Sequence, residues 1–196
     1  MRIITGKYKG RHFDIPRTFK ARPTTDFAKE NIFNVLNGYI DFENATALDL
    51  FSGTGSISLE LLSRGCRQVI SIEADRDHHR FIRECTKKLT ESSPVLLQEK
   101  GTAIPAIIPI RGDVFRFLKS CSQQFDFIFA DPPYAMKEIR LIPDIIMKKN
   151  ILREGGIFVL EHGKDNNFTQ HPHFIEHRSY GSVNFSLFTL TARADE

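Results

Sequence analysis

Residues 46–56 read TALDLFSGTGS. Thr46 to Phe51 is a short, almost wholly apolar run, as expected of a strand buried on both faces. Gly53 and Gly55 follow at once, and SISLELLSR, closed by Gly65, reads as a helix. A strand that passes through a glycine turn into a helix is the first half of a βαβ unit, and the pattern repeats outward from here. QVISIE is a strand, 76–89 a helix, AIIPIRGD (106–113) a strand despite Pro109, and 114–122 a helix. FDFIFA (125–130) is a strand, 137–149 carries Ile139, Ile142, Ile145 and Ile146 on one helical face, and GIFVLE is a strand. Such alternation predicts an α/β fold, a mostly parallel sheet with helices on both faces. HFIEHRSY and NFSLFTLTA flank Gly181-Ser182 and predict an antiparallel hairpin that closes a seven-stranded sheet. Upstream, 25–37 has a helical stripe of Phe27, Ile32, Val35 and Leu36, with Thr25 or Asp26 to cap it and Gly38 after it. Residues 2–15, broken by Gly6 and Gly10, read as a small β-hairpin; residues 90–105 have no period and read as a loop.

The chain has 196 residues, 41% hydrophobic and 26% charged, which suits one globular domain with a small appendage. No apolar stretch is long enough to span a membrane, and MRIITGKYKG lacks the apolar region of a signal peptide. Cys66, Cys85 and Cys121 are odd in number and lack CxxC spacing, so free thiols in a reducing cytoplasm are expected. The seven histidines show no metal-ligand spacing, and no metal is implied. Charge is uneven. Residues 1–22 hold seven bases and one acid, Asp14, so they carry +6, and the remainder carries 3 − 6 = −3. A basic arm (1–23) on a slightly acidic body (24–196) points to a polyanionic partner, against the alternative of a solvated hairpin.

Four successive strands end in an acid: Asp49, Glu73, Asp113 and Asp131. In an open α/β sheet these fall on the edge where ligands bind. The glycines of DLFSGTGS allow close approach of a ligand, but a dinucleotide fold would want a third glycine where Ser58 stands. Asp49 would repel a pyrophosphate and attract an ammonium. S-adenosylmethionine (SAM) carries an ammonium, a carboxylate and a sulfonium, and no phosphate. Glu73, 73 − 53 = 20 residues beyond Gly53, can accept both hydroxyls of a ribose. Asp113 can accept from an adenine amino group, or simply cap the helix from Val114.

The fourth acid opens the run Asp131-Pro132-Pro133-Tyr134. Each proline fixes its own φ and pushes its predecessor out of the α region, giving a stiff, extended step at the sheet edge. The Asp131 side chain and the Pro132 carbonyl can then both accept from an exocyclic amino group, and Tyr134 offers a face for a base. A strand-ending turn explains one proline, not the conjunction.

DLFSGTG, the acid after the second strand, GD and DPPY resemble the pattern of class I SAM-dependent amino-methyltransferases. RIITGKYKGR (2–11), RPTTDFAKENIFNVL (22–36) and YGSVNFSLF (180–188) narrow the resemblance to the bacterial small-subunit ribosomal RNA guanine-N2 methyltransferase family, the RsmD type. It covers nearly the whole chain, from Arg2 to about Leu190. It implies a Rossmann-like fold in which Asp49, Phe51, Ser52, Gly53 and Gly55 line the methionine end of SAM. Glu73 would hold the ribose, Asp113 the adenine, and Asp131, Pro132, Pro133 and Tyr134 the target guanine. Lys7, Lys9, Arg11, Arg22 and Thr24 would meet ribosomal RNA, free or in an assembled small subunit, and the enzyme would be a cytoplasmic monomer. The family often has a base after TTD, where this chain has Phe27; Lys29 keeps a charge two positions on. DNA amino-methyltransferases share DPPY but usually need a separate target-reading domain. Protein-glutamine methyltransferases typically have Asn at the position of Asp131. An NAD-dependent oxidoreductase is disfavoured by Ser58 and Asp49, and a non-catalytic RNA-binding module by the acid-rich pocket.

Overall fold

A computed structural model of the chain describes residues 1–19, 24–91 and 106–190. α1 (Asp26–Leu36) starts at Thr25, whose hydroxyl accepts from the Ala28 N–H at 3.2 Å. There follow β1 (Thr46–Leu50), α2 (Ser56–Ser63), β2 (Gln68–Glu73), α3 (Arg76–Glu91) and β3 (Ala106–Arg111). α4 (Val114–Ser120), β4 (Phe125–Ala130), α5 (Ile142–Lys148), β5 (Leu152–His162), β6 (Phe174–Tyr180) and β7 (Val183–Thr189) complete the described chain. The seven strands lie in the order β3-β2-β1-β4-β5-β7-β6. β1 to β5 run parallel and β7 runs antiparallel to both its neighbours. This is the mostly parallel, Rossmann-like sheet closed by an antiparallel hairpin that the sequence predicts, with the order reversing at β1, where a crevice opens between β1 and β4.

Strand pleating sorts the core into two layers. Ala47, Val69, Phe127 and Val159 pack with α1, α2 and α3 on one face. Leu48, Ile70, Ile128 and Phe158 pack with α4 and α5 on the other. Burying an aliphatic or Phe side chain contributes roughly 1.5–3 kcal/mol, so these doubly covered strands form the rigid centre. No helix among the described residues is long and apolar enough to cross a membrane.

Two local expectations are corrected, and the small N-terminal hairpin is present. The helix expected over 137–149 is a 3₁₀ turn, Lys137–Leu141, followed by α5. Pro143 sits at the start of α5 and has no N–H, so the α ladder begins afresh there. β5 is longer than GIFVLE, reaching back to Leu152. The N-terminal hairpin makes one antiparallel bridge, Arg2 to His12. Its outer polar groups go to α2 instead. Glu60 accepts from the N–H of Ile4 (2.7 Å) and of Thr5 (3.1 Å), and the Ser63 carbonyl accepts from the Lys7 N–H at 2.7 Å. Gly6 makes that approach possible: at φ 88°, a Cβ there would lie 1.9 Å from the Ser63 carbonyl oxygen.

Lys29 is the second clamp. It is 1% exposed, so the charge that stands two positions after Phe27 is buried. Its ammonium donates to the Arg2 carbonyl (2.6 Å) and to Ser56 Oγ (2.9 Å) and faces Glu60 at 3.8 Å. Burial pulls its pKa down, against the opposing pull of Glu60. Lys29→Ala leaves Glu60 buried with Arg64 as its remaining cationic partner among the described residues, beside the Ile4 and Thr5 N–H donors, and the loss should approach the ~3 kcal/mol typical of a broken buried pair. Thermal unfolding and amide exchange at residues 3–8 measure this; an unchanged melting temperature would return Lys29 to the surface.

Candidate active site

The carboxyl ends of β1, β2, β4 and β5 surround a cavity of about 740 Å³. Six carboxyl side chains line it: Asp49, Glu73, Asp75, Asp113, Asp131 and Glu161. Among the described residues, no lysine or arginine does. So dense a set of acids disfavours an anionic ligand and favours a cationic one.

The turn after β1 is built from left-handed residues: Phe51 at φ 60°, Gly53 at 54° and Gly55 at 74°. Gly55 also admits α3, since a Cβ there would meet Ile82 Cγ1 at 2.8 Å. The backbone N–H groups of Ser52, Gly53 and Gly55 are spent inside the protein. Gly53 N–H donates to Glu73 Oε2 at 2.7 Å, and Gly55 N–H to the Ser52 carbonyl at 2.7 Å. Ser52 donates its N–H to the Ile72 carbonyl and its hydroxyl to the carbonyls of Asp49 and Ile72. Of the expected cofactor residues, Ser52 therefore ties β1 to β2, and the glycines offer space rather than donors. Asp49 is buried and accepts from the N–H and hydroxyl of Ser58. Ser58, where a dinucleotide site would carry glycine, is thus a partner of the acid. Burial pushes the Asp49 carboxyl up to about 7.

Glu73 accepts from Gly53 N–H and, through Oε1, from Asp75 N–H at 2.7 Å, and His78 lies 3.9 Å away. Two backbone donors fix the carboxylate at the end of β2, and each oxygen keeps a lone pair for a ligand hydroxyl. Asp113 lines the cavity and also caps α4, accepting from Arg116 N–H at 2.8 Å. The two sequence-level readings of Asp113 are geometrically compatible.

Beyond β4, the Asp131 N–H still donates to the Leu50 carbonyl at 3.3 Å, then Pro132 turns inward and Tyr134 stands half-exposed at the rim. Burial first, then the charges of Glu161 and Asp49, push the Asp131 carboxyl well above the usual range. The Tyr134 hydroxyl donates to Glu161 Oε1 at 3.0 Å, and Thr24 donates to Glu161 Oε2 at 3.4 Å. Glu161 is 4% exposed, and burial raises its pKa to about 7. It was missed at the level of sequence, although GIFVLE ends in an acid as the four other strands do.

The basic residues do not gather at this cavity. Lys7 lies beside Ser63, at the opposite end of α2 from the glycine turn, and pairs with Glu43 at 3.8 Å. Lys9 shares that turn of the hairpin, its N–H donating to the Gly6 carbonyl. Arg11 lines a separate cleft with Glu84 and Lys88 beside α3. Arg22 falls outside the described residues, whereas Thr24 and Thr25 line the cavity. Phe27, just past them, is 66% exposed and meets Tyr180 edge-on at 6.2 Å.

Residues 1–189 match the family described as "Conserved hypothetical protein 95". The chain belongs to this RsmD-like methyltransferase family. It is 32% identical over 170 residues to "Putative rRNA methyltransferase YlbH" of Bacillus subtilis, covering 84% of each chain. It is 25% identical to "Ribosomal RNA small subunit methyltransferase D" of Escherichia coli, over 100% of this chain and 92% of that one. Its fold is similar to the solved "Putative methyltransferase yhhF" of Escherichia coli, with a TM-score of 0.79 at 23% identity, covering 98% and 99% of the two chains. It is also similar to the 16S rRNA N2 G1207 methyltransferase (RsmC) of T. thermophilus in complex with AdoMet and guanosine, TM-score 0.64 at 15% identity, over 87% of this chain and 44% of that one.

In this family member the acids set a pH dependence. Glu161 titrates at about 7 when folded against 4.5 as a free side chain, so between those values the folded state holds a proton that the unfolded state has lost. Its stabilising contribution is complete below about pH 4.5 and is lost as pH rises through 7. His162 and His171, lowered by burial, tilt the profile the other way, so the clean comparison is with Glu161→Gln. The variant should gain on wild type as pH rises through that window, by up to about 1.4 kcal/mol per pH unit. Parallel denaturation profiles of the two proteins would contradict the assignment.

Proposed function

We propose that the protein transfers a methyl group from SAM to the exocyclic N2 amino group of a guanine in small-subunit (16S) ribosomal RNA, in the cytoplasm. The observation that carries this reading is the Asp131-Pro132-Pro133-Tyr134 step opening on a cavity lined by six carboxyls. SAM fits that donor set: its ammonium and sulfonium suit Asp49 and the other acids, and its ribose hydroxyls suit the two oxygens of Glu73. When bound it supplies a methyl on a sulfonium, whose transfer leaves a neutral thioether. The chain's own residues present the amine. Asp131 and the Pro132 carbonyl accept from its two hydrogens, which aims the nitrogen lone pair at the methyl and favours the pyramidal form. On forming its new N–C bond the nitrogen sheds one proton, and ionised Asp131 is the acceptor at hand. The acids also repel RNA phosphates, so the strand stays outside and a single base turns in against Tyr134.

The N-terminal arm then serves affinity at a distance from the chemistry. Neutralising Lys7, Lys9 and Arg11 together should weaken RNA binding, with SAM binding unchanged. Each lost phosphate contact lowers the slope of log affinity against log salt by roughly 0.7–0.9. A triple variant with the wild-type slope would leave the arm a solvated hairpin. The function itself is tested by mapping N2-methylguanine in ribosomal RNA from a strain lacking this gene and from the same strain with it restored. One guanine of the small-subunit RNA should lose and regain its methyl group; an unaltered map would refute the proposal.

A further inference from the structure

We infer that Glu161 selects guanine by accepting the N1–H of the target base, beside the N2 amino group held by Asp131 and the Pro132 carbonyl. The inference rests on the functional reading above and adds the residue that reads the base.

Placement comes first. Ala130 pairs with Leu160 in the β4–β5 register, so Asp131 and Glu161 are the next residues along two adjacent parallel strands. Both line the cavity. They therefore present two carboxyls side by side to whatever enters beneath Tyr134. Guanine offers a matching pair of adjacent donors on its Watson–Crick edge, the N2 amino group and N1–H. Adenine and cytosine carry a bare ring nitrogen, an acceptor, next to their amino group. An ionised Glu161 attracts the first pattern and repels the second.

The fixing of Glu161 supports a recognition role over a packing role. Its two oxygens each accept one neutral donor, Tyr134 at 3.0 Å and Thr24 at 3.4 Å. Each retains a lone pair. No lysine or arginine among the described residues lining the cavity compensates the buried charge. A buried carboxyl without a cation is costly, and a glutamine could accept the same two hydrogen bonds. What a glutamine would not supply is a purely accepting edge that penalises a bare N1. Tyr134 and Thr24 then act as positioning residues for Glu161, and Tyr134 couples the stacked base to the group that reads its edge.

The test uses the guanine located by mapping. Two forms of a small-subunit RNA fragment are prepared, with guanosine or 2-aminopurine riboside at that position. 2-Aminopurine keeps the 2-amino group and has a bare N1. Single-turnover methyl transfer is measured at saturating SAM. Wild type should prefer guanine by roughly 10- to 100-fold, the range of one well-placed polar base contact. Glu161→Gln, whose amide can donate to a bare N1, should bring the two RNAs within about 3-fold of each other. An unchanged preference in a variant that melts no lower than wild type and binds SAM as wild type does overturns the inference. A second arm needs no variant: wild-type preference should shrink between about pH 8 and about pH 5.5, as Glu161 takes up a proton near 7. A flat profile also overturns it. If wild type methylates neither RNA, the functional reading falls, and the inference with it.

Discussion

Asp131→Ala should cut turnover by at least ~100-fold while leaving SAM affinity within a few-fold of wild type. The loss follows from removing the side-chain acceptor that orients the amine, when the remaining acceptor, the Pro132 carbonyl, belongs to the backbone. Folding should survive. The Asp131 N–H still bonds the Leu50 carbonyl, and the truncated side chain faces an open cavity rather than a packed core. Removing a carboxyl already pushed up by burial, Glu161 and Asp49 also relieves repulsion, so the melting temperature near neutral pH should hold or rise. Asp131→Asn, which keeps one acceptor, should lose less turnover. Single-turnover rates, SAM titration and thermal melting on the same preparations give the three readouts. A joint fall of all three would make Asp131 a support of the strand end and refute its assignment to chemistry.

The sheet was legible because its strands are continuous apolar runs and its helices are punctuated by Gly or capping residues. TALDLF and FDFIFA could be read as buried strands from pattern alone; their pairing side by side at the switch point is a finding of the structure. What pattern could not show was where polar side chains spend their hydrogen bonds. Ser52 was expected from the resemblance to line the cofactor; it lines the cavity, while its hydroxyl closes on two carbonyls. Lys29 was read only as a charge kept two positions after Phe27; the arm folds over it and Glu60 compensates it. Both outcomes depend on contacts between residues far apart in sequence. Glu161 was open to the same strand-end rule that found Asp49, Glu73, Asp113 and Asp131; its strand lacks a glycine turn or proline pair to draw notice. The arm's +6 charge was visible, but the direction in which the hairpin carries it was not. Only the backbone bonds from Ile4 to Lys7 along α2 set its basic tip at the far end of that helix.

Glu73→Ala should weaken SAM by at least about 100-fold, since hydrogen bonds to a charged group are each worth about 1.5–3 kcal/mol and two ribose hydroxyls are at stake. The structure adds a second route to the same loss. The carboxylate also holds Gly53 N–H and Asp75 N–H, so its removal frees the glycine turn and the start of α3 together. The two routes separate with a second variant. Glu73→Gln keeps acceptor capacity on one oxygen and puts an N–H₂ on the other, where it opposes a backbone donor. If the ribose contact dominates, SAM binding should fall steeply in the alanine variant while the ligand-free melting temperature changes little. If loop order dominates, glutamine and alanine should both lower the melting temperature, and adenosine, which keeps the ribose but lacks the methionine that the glycine turn would line, should lose less affinity than SAM. Calorimetric titration of both ligands against both variants decides the matter. Wild-type SAM affinity in Glu73→Ala would remove the carboxylate from the binding site and leave it a brace between β1 and α3.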